Sequence, residues 1–447
     1  MSEASSQGSH PRDRLRRVLS LNDATMLIVA SVVGSGIFLT PGAVADRLPH
    51  PGVFLFAWLL GGLLSLAGAL ANAELGAMFP RAGGDYVYLR EGFHPLAGFL
   101  VGWLSFFVIF AGTVATLAVG FADSLARAFG LGSETRVPLA IAITAVASAV
   151  NYVGVRWGAR VNNVTSYAKI AALLAFAALG PLLGHGHAAN LLPVFSGAGA
   201  TSPSALGLAL SPILFSYLGW NSSVYVASEI ERPERNVPAS LFLGLGICTL
   251  LYMVVNGVYL YALPIETLRL EGNAGEAAAR ALFGPIAGSL VAGFVVISIL
   301  GTLNATVLVG PRIAYAMGLD DLFPAGVDRA HVRFGTPHRA IVVQALVAAA
   351  LIAFLETFTR VLNATTFAIV LASMADVLAL FALRRRQPGR RRPYHALGYP
   401  WVPALYVLAS AAIAVVMLIG EPVECAVGLA CLATGLPFYA LFSRRRA

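Results

Sequence analysis

The chain has 447 residues, 58% hydrophobic and 12% charged, with a mean hydropathy of +0.77. A soluble protein of this size needs far more polar surface to cover its core, and apolar runs of bilayer-spanning length recur along most of the sequence. The chain is therefore a membrane protein, and its formal charge of +8 has to be explained by where the cations lie.

The first twenty residues are polar and carry Arg12, Arg14, Arg16 and Arg17. They fit no cleavable signal and are expected to form a cytoplasmic tail over residues 1–20. Spans are predicted over 21–46, 53–79, 95–127, 137–152, 158–184, 204–230, 238–263, 286–318, 338–356, 363–383, 400–420 and 422–443. With the N-terminus inside, 23 arginines fall in cytoplasmic segments and six outside, the six being Arg47, Arg127, Arg136, Arg269, Arg280 and Arg360. That asymmetry is the positive-inside rule, so both termini face the cytoplasm and the basic charge reports topology. Nucleic acid is excluded as a partner; the bilayer is the expected one. The remaining cation, Lys169, is the single lysine of the chain and falls within the fifth span.

The first span is interrupted at Gly34-Ser35-Gly36, and the sixth at Tyr217-Leu218-Gly219-Trp220 after Pro212. Each opens a five-helix unit, 21–184 and 204–383, with two further helices over 400–443; an odd number of spans inverts the second unit relative to the first. All belong to one transport domain. Paired interruptions at matching positions point to a midplane binding site. Thirteen residues separate Leu21 from Gly34, roughly 20 Å of helix, and the same number separates Ser204 from Tyr217 on the way in from the other side. Lys169 lies roughly 14 Å into its span, in a hydrocarbon core about 30 Å thick. All three features converge near the midplane. The competing explanation for Gly34-Ser35-Gly36 is close packing of small residues between helices; the second break in the sixth span favours a functional one.

Unwinding a helix within a bilayer frees backbone groups that water cannot reach. The break in the first span leaves N–H groups around Ser35, Gly36 and Ile37 with a partial positive charge, beside carbonyls ending the first half-helix and others around Phe215, Ser216 and Leu218. An anion cradle next to a carbonyl cluster suits a zwitterion, the backbone of an α-amino acid. Phe215 either closes over the ligand or packs in the core. Leu218 adds bulk where a glycine would leave room, which favours smaller side chains. Asn221 is suited to capping the inner half-helix. Thr113 and Thr116 are candidate walls or packing residues, and Thr302, Asn304 and Thr306 either face the cavity or bond across helices.

An ammonium at the depth of Lys169 marks function, because a side chain so deep cannot snorkel to the interface. It either replaces a sodium ion by donating to carbonyls near Gly34 or serves proton coupling. Glu74 and Glu229, near cytoplasmic helix ends, are expected to pair with loop arginines or cap helices; Asp376 lies deeper, within about two turns of Arg384. Residues 273–283 are expected to form a short helix on the outer face. Cys248, Cys425 and Cys431 are isolated apolar-site thiols, the histidines lie in loops or at span ends, and no metal-ligand, nucleophile-elbow or phosphate-loop pattern occurs. Neither an enzyme nor a nucleotide-driven pump is expected, and no metal or cofactor is implied.

These segments resemble a known family. GSGIF (34–38) is similar to the amino acid–polyamine–organocation superfamily, and FSYLGWNSSVYVASEIERPERNVP (215–238) resembles its L-type amino acid transporter branch. AELGAMFPRAGGDYVYL (73–89), NYVGVRWG (151–158) and RPYHALGYP (392–400) match it too. The resemblance covers most of the chain and implies an all-α membrane protein of twelve helices, the LeuT-type 5+5 inverted repeat plus two, with helices 1 and 6 broken. It implies sodium-independent alternating-access transport of amino acids by a bacterial inner-membrane protein. By this similarity Val32, Ser35 and Gly36 with Phe215, Ser216 and Leu218 contact the substrate backbone, and Lys169 occupies a vacated sodium position. Two departures stand out. The segment 130–137 lacks the cysteine through which eukaryotic members bind a heavy chain, so no disulfide-linked partner is expected. Leu218 replaces the glycine of large-substrate members, so neutral, small to medium L-amino acids are expected. A proton-coupled symporter and an amino-acid-sensing receptor on the same scaffold are the alternatives to an exchanger.

Overall fold

A computed structural model describes residues 11–192, 194, 201–354 and 358–444. The side chains of Arg127 and Arg360, and the whole of Arg445 and Arg446, lie outside the described residues. The described chain is helical throughout, with two isolated β-bridges and no strands. In order the helices are α1 (Leu21–Val32), α2 (Gly36–Leu39), α3 (Pro41–Arg47), α4 (Pro51–Met78), α5 (Asp85–Gly92), α6 (Pro95–Leu104) and, after a π-helical turn at Ser105–Phe110, α7 (Ala111–Phe129). Then come α8 (Arg136–Val153), α9 (Val155–Leu183), α10 (Pro203–Ser216), α11 (Ser222–Tyr225), α12 (Pro233–Ala262), α13 (Ile265–Leu268) and α14 (Ala274–Phe283). The chain ends with α15 (Pro285–Val309), α16 (Pro311–Leu319), α17 (His338–Phe354), α18 (Phe358–Arg386), α19 (Trp401–Gly420) and α20 (Pro422–Ser443).

Ten of these segments are long and apolar enough to cross a membrane, and Pro203–Ser216 and His338–Ala353 are shorter apolar helices. Both predicted breaks are present, dividing α1 from α2 and α10 from α11. The predicted outer-face helix is α14, capped by the Asn273 side chain accepting from the Glu276 N–H.

Burial separates inner from outer helices. The first and third spans are 83% buried, whereas α9 and α20 are 22% buried and show lipid rows of apolar side chains such as Leu174, Leu179 and Leu182. Within α9 the buried residues Val155, Gly158, Ala159, Asn162, Ser166, Lys169 and Leu173 recur every three or four positions, one stripe of a helix. That stripe turns Lys169 inward; at the centre of a 29-residue helix, it has fourteen residues on either side.

The face that carries the N-terminus is held by ion pairs. Glu229 and Arg312, 0% and 1% exposed at the side chain, pair through two contacts of 2.8 and 3.1 Å. Glu74 is held by Arg384 and Arg392 and accepts the Ala396 N–H at 2.7 Å. Asp320 accepts from Tyr86 and Arg90. The start of the chain joins this face, since the Val18 and Leu19 N–H groups donate to the Glu229 carbonyl and Glu231 N–H donates to Leu19. Of the expected loop arginines only Arg392 takes part, at Glu74; Arg384 belongs to the end of α18, and Glu229 pairs with a buried arginine of α16.

Removing one member of a buried pair strands a charge at a cost of about 3–5 kcal/mol, while replacing both with apolar residues of similar volume costs little. Arg312→Ala is accordingly expected to lower stability by that amount in denaturant titrations of the detergent-solubilised protein. The double variant Glu229→Leu/Arg312→Met is expected to recover most of the loss.

Candidate binding site

The two helix breaks face each other across a small cavity. Its walls come from the first break (Ser31, Val32, Gly34, Ser35, Gly36), from the second (Phe215, Ser216, Leu218, Gly219, Asn221, Ser222), and from Thr113, Thr302 and Thr306 on neighbouring helices. Ile109 and Phe110 of the π-helical turn complete one side.

The glycines explain how the breaks come so close. A Cβ on Gly36 would meet the Ser216 backbone at 2.7 Å, and one on Gly34 would meet Thr302 at 2.9 Å. Gly219 has a φ of +92°, which L-residues rarely adopt, and its Cβ would sit 2.5 Å from that of Ser31. The first two glycines therefore serve close approach, and only Gly219 serves torsion.

Side chains lace the breaks together. Ser222 donates to Ser31 at 2.9 Å, the Thr40 and Ser216 hydroxyls lie 2.9 Å apart, and the Tyr252 hydroxyl lies 2.7 Å from the Val32 carbonyl and 2.8 Å from that of Ser216. A phenol has one proton, so Tyr252 serves one of these carbonyls at a time. The Ala30 and Val33 carbonyls accept from Thr302 and Ser298, and Ala30 also accepts from Lys169. Most carbonyls expected to face a ligand are thus already bonded within the protein: Val32 also accepts the Gly34 N–H at 2.8 Å, and Phe215 accepts the Leu218 N–H at 3.0 Å. The donors differ. Among the described residues no hydrogen bond involves the N–H groups of Ser35, Gly36 or Ile37, and the Ser35 side chain makes no capping bond.

The Lys169 ammonium is 1% exposed, donating to the Ala30 carbonyl at 3.2 Å and the Thr302 hydroxyl at 3.0 Å. It stands behind the first break and does not line the cavity.

Of the residues singled out in the sequence, Val32, Gly34, Ser35, Gly36, Phe215, Ser216, Leu218 and Asn221 line the cavity, as do Thr113, Thr302 and Thr306. The Ile37 side chain is buried in the core, leaving only its backbone N–H at the break. Thr116 bonds the Gly112 carbonyl, and Asn304 bonds Asn151, Asn162 and Gly158 between helices. Asn221 occupies the cap position of α11 without capping it: its φ and ψ of −98° and 13° are not the extended cap geometry, and its amide donates to the Tyr225 hydroxyl at 3.2 Å. Tyr252 and the π-helical turn escaped sequence reasoning. A tyrosine in an apolar helix carries no distinguishing pattern, and a π-turn leaves none in the periodicity, though such turns frequently mark functional sites.

No group of three or more histidine, cysteine, aspartate or glutamate side chains that could hold a metal ion occurs among the described residues. Residues 19–437 match the family model described as amino acid permease. The chain is 32% identical to the serine/threonine exchanger SteT of Bacillus subtilis (strain 168), over 98% of its own length and all of that protein. It is 29% identical to the Asc-type amino acid transporter 1 of Mus musculus, covering 96% of this chain and 82% of that one. Identity is also 29% to the cystine/glutamate transporter of Homo sapiens, covering 96% and 86%.

Gly36→Ala is expected to abolish ligand-dependent protection of the cavity, because the Ser216 backbone has to retreat by several tenths of an ångström to admit the methyl group. Thermal-shift measurements with a panel of amino acids read that loss against the folded wild type.

Proposed function

The chain belongs to the amino acid permease family, and on that premise we propose that it is a sodium-independent exchanger of small to medium neutral L-amino acids. It is a multi-pass membrane transporter, not an enzyme. The observation that carries the substrate assignment is the pairing of unbonded N–H groups at Ser35, Gly36 and Ile37 with the carbonyl-rich breaks opposite. The N–H groups take the carboxylate, as helix N-termini take anions, while the spare lone pair on the Ser216 carbonyl takes the ammonium.

Charge supports a neutral side chain. The cavity lining contains no lysine or arginine, and its one acid is Asp85. An acidic substrate side chain would lie unpaired and desolvated there, at a cost of several kcal/mol. The one relative named above for glutamate therefore makes a poorer guide than the serine/threonine exchanger. Leu218, Ile109 and Phe110 restrict side-chain volume.

Lys169 supports sodium independence. Its ammonium bonds a backbone carbonyl and a threonine hydroxyl, the oxygen ligands a monovalent cation would take. We assign both termini to the cytoplasm of a bacterial cell, with the protein in its inner membrane, from the arginine asymmetry. Residues 21–184 and 204–383 are assigned as inverted repeats on their matching breaks, with 400–443 appended. No cysteine in 130–137 is available to a disulfide-linked partner.

Proteoliposomes loaded with unlabelled L-serine or L-alanine are expected to take up labelled L-serine by counterflow, at the same rate in sodium and choline buffers. Absence of counterflow would remove the exchanger, and a sodium requirement would remove the tethered-cation role of Lys169. Leu218→Gly is expected to raise competition by leucine and phenylalanine against labelled serine by about tenfold, the equivalent of about 1.4 kcal/mol of relieved crowding. An unchanged inhibition profile would show that Leu218 does not set the size limit.

A further inference from the structure

At the end of the cavity nearest the N-terminal face stand two acids that the substrate site leaves unused. Asp85 opens α5 and lines the cavity; Asp376 lies within α18, which packs closely on α5, the Cα of Ala379 being 3.2 Å from a Cβ placed on Gly92. The two residues are 2% and 0% exposed, and each acts electrostatically on the other. Asp85 accepts from Tyr225 at 2.6 Å and from Ser105 at 3.4 Å through Oδ2, leaving Oδ1 without a protein donor. Neither Asp376 oxygen has a hydrogen-bond donor within 3.5 Å.

The surroundings narrow what fills the gap. Fully buried Asn72 on α4 faces Asp376, and neither of its amide atoms is bonded elsewhere. The other groups around the pair are the Tyr88 and Tyr406 phenols, from α5 and α19. Four arginines of this face are engaged with other acids: Arg384 and Arg392 with Glu74, Arg90 with Asp320, Arg312 with Glu229. Two carboxylates in contact, out of water and without a cation, cannot both be charged; such pairs hold one proton between them. One proton supplies the donor bond that Asp85 Oδ1 and Asp376 lack.

We propose that Asp85 and Asp376 form a proton-binding site holding one shared proton while the N-terminal face is closed. Asn221 at the second break donates to Tyr225, Tyr225 donates to Asp85, and Asp85 shares the proton with Asp376, so a continuous chain ties α11 to α18. When this face opens and α11 withdraws Tyr225, water reaches the pair and the O–H bond breaks, the proton passing to the solvent and leaving two carboxylates that repel. The proton thus latches the closed face, and loss of it favours opening. In an exchanger the proton travels in both directions and no net proton flux results. The latch rests on the alternating-access reading above; the occupancy of the site does not.

Infrared difference spectroscopy of the wild type in lipid is expected to show the carbonyl stretch of a protonated carboxyl at neutral pH. Asp376→Asn and Asp85→Asn are each expected to lose it. Its absence from the wild type, or its survival in both variants, would overturn the proposal, and so would its disappearance when sodium or potassium replaces choline, which makes the pair a metal-cation site. In serine counterflow the wild type is expected to slow several-fold from mildly alkaline to mildly acidic pH. Asp376→Asn, a permanently neutral stand-in, is expected to be slow and flat across that range; a profile parallel to the wild type would overturn the latch. If the wild type shows no counterflow at any pH while the infrared band is present, the exchanger fails and the proton site stands.

Discussion

Everything in the centre of this protein answers to one constraint: a backbone unwound within a bilayer has to find hydrogen-bond partners without water. The break between α1 and α2 frees carbonyls and N–H groups together, and the structure treats the two sets differently. The carbonyls of Ala30, Val32 and Val33 are met by Lys169, Thr302, Tyr252 and Ser298, drawn from three other helices. The N–H groups at Ser35, Gly36 and Ile37 are left unmet. An interior that satisfies its acceptors and withholds partners from its donors selects for an anionic group on the ligand. The proposed preference for a carboxylate descends from that imbalance, and the bond from Lys169 to Ala30 belongs to its acceptor side.

Much of the site was legible in the sequence because glycine, proline and a lone lysine are conspicuous in apolar helices. Gly34, Gly36 and Gly219 announce the breaks, and the depth of Lys169 announces a function. The physical role of the first two glycines was less visible, since close approach to Ser216 and Thr302 depends on helices far apart in sequence. The same limit hid Tyr252, whose two acceptors lie 220 and 36 residues away. Asn221 shows the opposite failure: the right residue type at the right place for a cap, with a backbone that does not take the cap geometry. Asp376 looked close enough to Arg384 for pairing, yet Glu74 holds that arginine on the neighbouring helix. Helical spacing fixes which residues share a face; it does not decide which of several acids a cation meets.

The breaks and the closed face are mechanically continuous. Ser31 joins Ser222, Ser216 joins Thr40, and Tyr225 carries the second break to Asp85. Glu229 follows α11 by a few residues, and there it meets Arg312 and the incoming chain at Val18 and Leu19. A displacement of α11 is therefore felt at the substrate cavity, at the carboxyl pair and at the buried ion pair together. The amides of Asn151, Asn162 and Asn304 link α8, α9 and α15, and Lys169, Thr302 and Ser298 tie α9 and α15 in turn to the first break.

Lys169 has one more consequence, thermodynamic rather than geometric. A dissolved cation at this position would bind and leave in proportion to its concentration on each side, and its gradient could perform work through that cycle. An ammonium tethered by four methylenes to the middle of α9 has an effective concentration that dilution cannot change. It therefore fills the seat of a fuel without being one. In the sodium-independent exchanger proposed above, a sodium gradient does no work through this seat; the work of accumulation arrives with another solute.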